Sequence, residues 1–291
     1  MTTSTAAPSR LADWITLAKV RVNTLVVATT AGGYYMGLRD PLDWTHLVVT
    51  CAGTALVAGG AAAFNQVAER DTDALMTRTR KRPVADKRMS PREGHTVGAI
   101  LSAAGLLLLW IYTNPTATAV ALATLISYVL LYTPLKRRTS FAAVVGAVPG
   151  ALPPMIGWAA ASGSIAALGG WSLFFIMFVW QLPHVLAISW MYREEYGRAG
   201  LPVLPVMDTT GAMTGRQALL WAVTLVPVSV LPSIAGVASP VYSVGAVMLG
   251  LAQLGTTAKF AFHRSAANAR LVFYASIIYL PLLWIVMTVT R

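Results

Sequence analysis

The chain has 291 residues, of which 56% are hydrophobic and only 11% charged, against about 25% charged in an ordinary soluble domain. That balance argues against a soluble globular fold and for an all-α integral membrane protein. The net charge of +11 needs no nucleic-acid partner, because its placement follows a membrane topology, and the single Cys51 excludes a disulfide framework within the chain.

Residues 1–15 read as a polar N-terminal segment on the cytoplasmic side, without a convincing cleavable signal peptide. Residues 16–291 read as one transmembrane domain. Nine apolar stretches are predicted to span: about 16–38, 46–67, 95–113, 116–133, 141–161, 168–190, 215–236, 240–262 and 271–289. Each is close to the roughly 20 residues that cross a hydrocarbon core of about 30 Å. No extended alternating pattern suggests an outer-membrane barrel. Setting aside Arg39 and Arg291, the other 20 of the 22 Lys and Arg fall in the N-terminal segment, the even-numbered loops or the span ends that adjoin them. The positive-inside rule therefore puts the N-terminus and those loops in the cytoplasm.

The second loop, about 68–94, is the most informative. Asn65, Glu69 and Asp73 recur every four residues, so a helix places them on one face, about 6 Å apart along its axis. They are hard oxygen ligands of the kind Mg²⁺ takes, with substrate phosphate oxygens and water completing its shell. Arg78, Arg80, Lys81 and Arg82 follow at once. A salt-bridge cluster with these arginines is the competing reading of the three polar residues. The fourth loop carries Tyr132-Thr-Pro-Leu-Lys136-Arg137-Arg138-Thr139. The arginine fork matches phosphate geometry, although Arg80, Lys81 and Arg138 suit lipid headgroups equally well.

The fifth span contains Gly146, Pro149, Gly150, Pro153, Pro154 and Gly157, which fits either a kinked, cavity-lining helix or close packing through small residues. Near the end of the sixth, Trp180-Gln181-Leu-Pro183-His184 places an ionisable side chain inside a span. Such a residue is a functional candidate by default, with helix packing as the alternative. The sixth loop supplies Glu194 and Glu195. No phosphate-binding loop, nucleophile elbow, dinucleotide fingerprint or zinc spacing occurs, so ATP-driven transport, serine hydrolysis and zinc chemistry lack support.

On these residues the chain resembles the haem-farnesylating branch of the UbiA-type intramembrane prenyltransferases. The motifs that carry the resemblance are Asn65-x₃-Glu69-x₃-Asp73, Met76-x-Arg78-Thr79-x₂-Arg82-Pro83, Tyr132-Thr-Pro-Leu-Lys136-Arg137-Arg138-Thr139, Pro153-Pro154-x-Ile156-Gly157-Trp158 and Trp180-Gln181-x-Pro183-His184. They extend from about Lys19 to Pro205; beyond about 215 the match is in hydropathy alone.

The resemblance implies a bundle of about nine helices around a central cavity that opens to the cytoplasmic side. It implies farnesyl transfer from farnesyl diphosphate to a vinyl group of haem B. Asn65, Glu69 and Asp73 would hold Mg²⁺; Arg78, Arg82, Lys136 and Arg137 would bind the diphosphate; Tyr132 would face the allylic cation; and His184 would contact haem. Haem A synthase or a terminal oxidase would be partners, alongside membrane lipid. One departure stands out. Relatives usually carry a second Asp-rich motif where this chain has Glu194 and Glu195 at shifted spacing, so a second Mg²⁺ site there is in doubt. The rival readings are prenylation of an aromatic quinone precursor and, from another class, a secondary transporter with a broken fifth helix.

Overall fold

The computed structural model describes residues 9–291; the first eight residues of the expected 1–15 segment lie outside them. Among the described residues there is no strand. The principal helices are α1 Arg10–Leu17, α2 Val20–Gly37, α3 Trp44–Ala74, α4 Pro91–Tyr112, α5 Pro115–Leu135, α6 Ala142–Ser162, α7 Leu168–Met191, α8 Ala212–Ile234, α9 Pro240–Phe262 and α10 Ala266–Val289, with short helices Arg193–Arg198 and Leu204–Met207 between α7 and α8. From α3 onward, these eight are long and apolar enough to cross a membrane. They carry exposed Leu107, Ile111, Leu130, Met248, Ile278 and Ile285, side chains suited to a hydrocarbon surround. The protein is a multi-pass membrane protein.

The expected first span, 16–38, is corrected. Lys19 adopts a left-handed conformation, φ 48°, and breaks the helix there. A separate amphipathic turn, α1, exposes Leu11, Trp14 and Ile15 while burying Asp13 and Leu17, a pattern suited to a membrane interface. The remaining α2 has 18 residues and carries Arg21 and Asn23 in its first turn, which lower its hydropathy below that of the eight. Yet it runs from Lys19, beside the C-terminal end of α3, to Tyr35 and Leu38, whose carbonyls accept from Arg291 beyond α10. The first span therefore begins at about Val20 and not at 16.

Local sequence explains the helix ends. Asp43, Asn114 and Ser265 each accept a backbone N–H from the first turn of α3, α5 and α10. Ser90 and Glu93 form a reciprocal capping box on α4, with Pro91 in its first turn. The loop after α3 is folded back onto α1 by Arg88, which donates to the buried Asp13 carboxylate at 2.9 Å and to the Lys81 carbonyl at 2.9 Å.

Small residues let the helices touch backbone to backbone. A Cβ on Gly157 would lie 1.9 Å from the Thr30 carbonyl oxygen, and one on Gly33 would lie 2.0 Å from that of Pro154. These positions seat α6 on α2, so the small-residue reading of the fifth span holds along this face. The largest buried apolar cluster joins Tyr34, Leu109, Met155, Trp158, Leu173, Tyr242 and Leu283. It fills the half of the bundle away from the basic loops and leaves the basic half for polar side chains.

Candidate active site

The C-terminal turns of α3 bring Asn65, Glu69 and Asp73 to the basic end of the bundle, 2%, 4% and 1% exposed. Every one of them meets a cation or its neighbour. Lys136 Nζ donates to Glu69 Oε1 at 3.0 Å. Arg82 Nη1 donates to Asp73 Oδ2 at 2.6 Å and lies 4.0 Å from Glu69 Oε2. Lys19 Nζ donates to Asn65 Oδ1 at 3.0 Å. These contacts are those of the ion-pair reading; a ligand set would have to draw on the same side chains. Asp73 Oδ1 is buried with no hydrogen-bond donor, a costly state for a carboxylate oxygen.

That orphaned oxygen is what a metal would satisfy. Among the described residues no three His, Cys, Asp or Glu side chains cluster tightly enough to hold an ion by themselves. Two carboxylates and an amide on one helical face instead fit a Mg²⁺ that keeps several waters and takes phosphate oxygens from its substrate.

A cavity of about 440 Å³ opens beside this cluster. Lys19, Arg78 and Arg82 line its polar part; Ala58, Ala61, Ala62, Gly146, Ala147, Gly150 and Pro153 line its apolar part. The cavity meets α3 at Ala58, Ala61 and Ala62, the last of these seven residues before Glu69, about 10 Å along the helix. The size lies in the range of small-molecule sites. The kinked reading of α6 applies here, where Pro149, Gly150 and Pro153 face the cavity. Gly146 and Gly150 permit close approach, since a Cβ there would lie 2.6 Å from the Tyr132 ring and 2.3 Å from Gln181 Oε1, respectively.

Tyr132 reaches the cavity through a local rearrangement. Residues Ser127–Tyr132 form a π-helical turn within α5, a device frequent at functional sites. It places Tyr128 and Tyr132 together on the cavity wall, ring centroids 5.4 Å apart, with Lys136 Nζ 6.0 Å from the Tyr132 ring. It also turns Thr133 inward, where its hydroxyl donates to the Tyr128 carbonyl and accepts from Asn65 Nδ2 at 3.3 Å. Thr133 thus fixes the Asn65 amide with its oxygen toward Lys19.

The remaining expected residues divide. Arg78 lines the cavity, donates to the Tyr196 hydroxyl at 3.4 Å and stacks over Tyr192. Arg137 is exposed and is not part of the cavity wall. Glu194 is exposed, and Glu195 accepts from the Arg78 backbone N–H at 3.4 Å, so neither joins the Asn65, Glu69 and Asp73 cluster. His184 is partly buried between α7 and α10, its Nδ1 2.7 Å from Ser276 Oγ. It lies off the cavity wall, although its neighbours Gln181 and Val185 are on it.

Lys19 is the residue that sequence reasoning missed. Burial, and next the charge of Arg82, push its pKa down to about 7. An arriving diphosphate favours the charged form. Above pH 7 binding must then take up a proton. The KM for a prenyl diphosphate is expected to rise with pH from about 7 upward in the wild type. Lys19→Arg, permanently charged, should flatten that rise. A wild-type profile with the same slope as the variant's would remove Lys19 from the diphosphate site.

A helical membrane bundle with acids, an amide and cations converging on an apolar cavity defines an intramembrane transferase of prenyl diphosphates. The chain belongs to the UbiA prenyltransferase family, whose family model matches residues 25–280. A protoheme IX farnesyltransferase of Solibacter usitatus is 41% identical over 288 residues, covering 96% of this chain and 98% of its own. One of Sorangium cellulosum is 43% identical over 275 residues, covering 89% and 98%. In fold the chain is similar to a digeranylgeranylglyceryl phosphate synthase (TM-score 0.80, 16% identity, 96% and 98% covered). It is also similar to a UbiA homologue from Archaeoglobus fulgidus bound to GPP and Mg²⁺ (TM-score 0.66, 14% identity, 94% and 99% covered).

Proposed function

We propose that the protein transfers the farnesyl group of farnesyl diphosphate to a vinyl group of haem B, with addition of water, giving haem O and diphosphate. The observation that carries this reading is the Asn65, Glu69 and Asp73 face, with its orphaned Asp73 oxygen, set against Lys19, Arg78, Arg82 and Lys136 at the mouth of an apolar cavity. Its relatives at 41% and 43% identity bear the name of that activity. Family membership removes the transporter reading, and nothing in the site favours a quinone precursor.

The apolar wall of the cavity, with Ala58, Ala61, Ala62, Gly146, Ala147 and Pro153, suits a prenyl chain, and its polar mouth, with Lys19, Arg78 and Arg82, accepts the diphosphate. Mg²⁺, held by Asn65, Glu69 and Asp73, would offset phosphate charge. Arg78 and Arg82 line the mouth and neutralise the charge that develops on the leaving diphosphate as the allylic C–O bond breaks, the kind of preorganised stabilisation that dominates many enzymes. Lys19 lines the same mouth, and Lys136 adds its charge through Glu69. The rings of Tyr128 and Tyr132 shelter the allylic cation. The vinyl π-bond attacks that cation, and water adds to the carbon left positive beside the porphyrin, its second proton passing to solvent or to the released diphosphate. Haem B would meet the protein at His184, outside the prenyl cavity. Arg137 and the Glu194–Glu195 pair act at most from the periphery, and one metal ion suffices for the residues present.

On this reading the enzyme sits in the cytoplasmic membrane, with its N-terminus and its basic end in the cytoplasm, as a single transmembrane domain. Its product serves a terminal oxidase directly or passes to haem A synthase. The test is incubation of the purified protein with haem B, farnesyl diphosphate and Mg²⁺, followed by mass analysis of the pigment. A haem heavier by one farnesyl group plus one hydroxyl group is expected. Prenylation of a quinone precursor with haem B left unchanged would overturn the assignment.

A further inference from the structure

His184 is held in a way that helix packing does not require. Its ring lies between two near-parallel aromatic rings: Trp180, at 5.1 Å and 22°, and Phe273, at 5.0 Å and 27°. Its Nδ1 lies 2.7 Å from Ser276 Oγ, and that same oxygen lies 2.7 Å from the Phe273 carbonyl oxygen. The Trp180 indole N–H donates to the Ser276 carbonyl at 2.9 Å, tying α7 to α10 at this level. The other ring nitrogen, Nε2, has no hydrogen-bond partner among the described residues and is not sealed in the interior.

Proton counting decides the tautomer. A serine hydroxyl carries one hydrogen, and a carbonyl carries none. Two oxygens 2.7 Å apart need a hydrogen between them, and here only the Ser276 hydroxyl can supply it. That hydrogen is then spent on Phe273, so the hydrogen between Ser276 and His184 must come from the imidazole. We infer that Ser276 is a positioning residue that holds His184 as the Nδ1–H tautomer and leaves Nε2, with its lone pair, as the nitrogen offered to haem iron. This rests on the reading that haem B meets the protein at His184.

The arrangement matches what an imidazole ligand needs. A ligating histidine commonly donates its second ring N–H to a fixed acceptor, which sets both tautomer and ring plane. The flanking rings of Trp180 and Phe273 block rotation out of that plane, so the approach left open is along the ring edge. A histidine kept for packing would be served by either tautomer.

The full-length protein, labelled with ¹⁵N-histidine, tests this before any haem is added. The His184 signals, identified by their loss in His184→Gln, are expected to show a protonated Nδ1 and an unprotonated Nε2. In Ser276→Ala that preference should disappear, and Ser276→Thr, which keeps the hydroxyl, should restore it. With haem B bound and reduced, Ser276→Ala should shift the iron–histidine stretching band and weaken haem affinity by about tenfold, with farnesyl diphosphate binding unchanged. A wild-type ring protonated at Nε2 overturns the inference, whether or not the variants fold. So does an unshifted band and unchanged affinity in Ser276→Ala where His184→Gln loses the band. If His184→Gln binds haem with the wild-type spectrum, the haem contact itself is wrong and the inference falls with it.

Discussion

Glu69→Gln is expected to lower kcat by about two to three orders of magnitude, the range seen when one preorganised electrostatic group is removed, in a protein that still inserts and folds. The substitution keeps the side chain's size and deletes its charge. Glu69 is 4% exposed and shares Lys136 and Arg82 with the rest of the site. Loss of the carboxylate weakens any hold on a divalent ion, because the two remaining donors are one amide and one carboxylate. It also leaves Lys136 beside a neutral amide, so the substrate-free variant should melt at a lower temperature and recover part of the difference when a prenyl diphosphate supplies negative charge. Excess chelator should abolish wild-type turnover. Turnover at the wild-type rate in chelator, together with a fully active Glu69→Gln, would remove the metal from the reaction.

The acid face was legible because helical periodicity alone brings Asn65, Glu69 and Asp73 together, and nothing in the fold disturbs α3 there. Arg82 was legible for a related reason: the loop that carries it turns straight back onto the same helix, as Thr79 donating to the Asp73 carbonyl shows. The spans were legible from composition, from α3 to α10.

What was not legible depends on irregular backbone. Lys19 sits in a left-handed break that no local pattern in Ala18-Lys19-Val20 announces; within an unbroken span it would point elsewhere. The π-helical turn Ser127–Tyr132 changes which faces of α5 meet the cavity. It turns Thr133 inward, and Lys136 reaches Glu69 while Arg137 is left exposed. Adjacency in Lys136-Arg137 therefore made two cations look equivalent when only the first enters the site. Glu195 stands where relatives carry a second Asp-rich motif, which left a second metal site there in doubt; its carboxylate accepts from the Arg78 backbone N–H. The partner of His184 lies 92 residues away on α10, a separation that no motif spans.

Arg82→Lys is expected to cost about 100-fold or more in kcat/KM for farnesyl diphosphate, with most of the loss in substrate binding and the metal requirement retained. The charge is conserved, so membrane orientation should not change. The geometry is not conserved. Arg82 Nη1 holds Asp73 at 2.6 Å and approaches Glu69 at 4.0 Å while the side chain also lines the cavity. A planar guanidinium can keep one N–H on a carboxylate and turn others to a phosphate oxygen. A lysine ammonium on a shorter reach satisfies one of these partners at a time, and the buried Asp73 competes for it first. Arg82→Ala should lose more, because it strands Asp73, 1% exposed, without its counter-charge; breaking a buried pair in this way costs about 3–5 kcal/mol. Arg138→Ala, at an exposed position of the neighbouring loop, is the control expected to leave the KM unchanged. Steady-state kinetics across farnesyl diphosphate and Mg²⁺ concentrations decide the matter. If Arg82→Lys keeps the wild-type KM and kcat, the cation serves the fold of the loop after α3 and the diphosphate is held elsewhere.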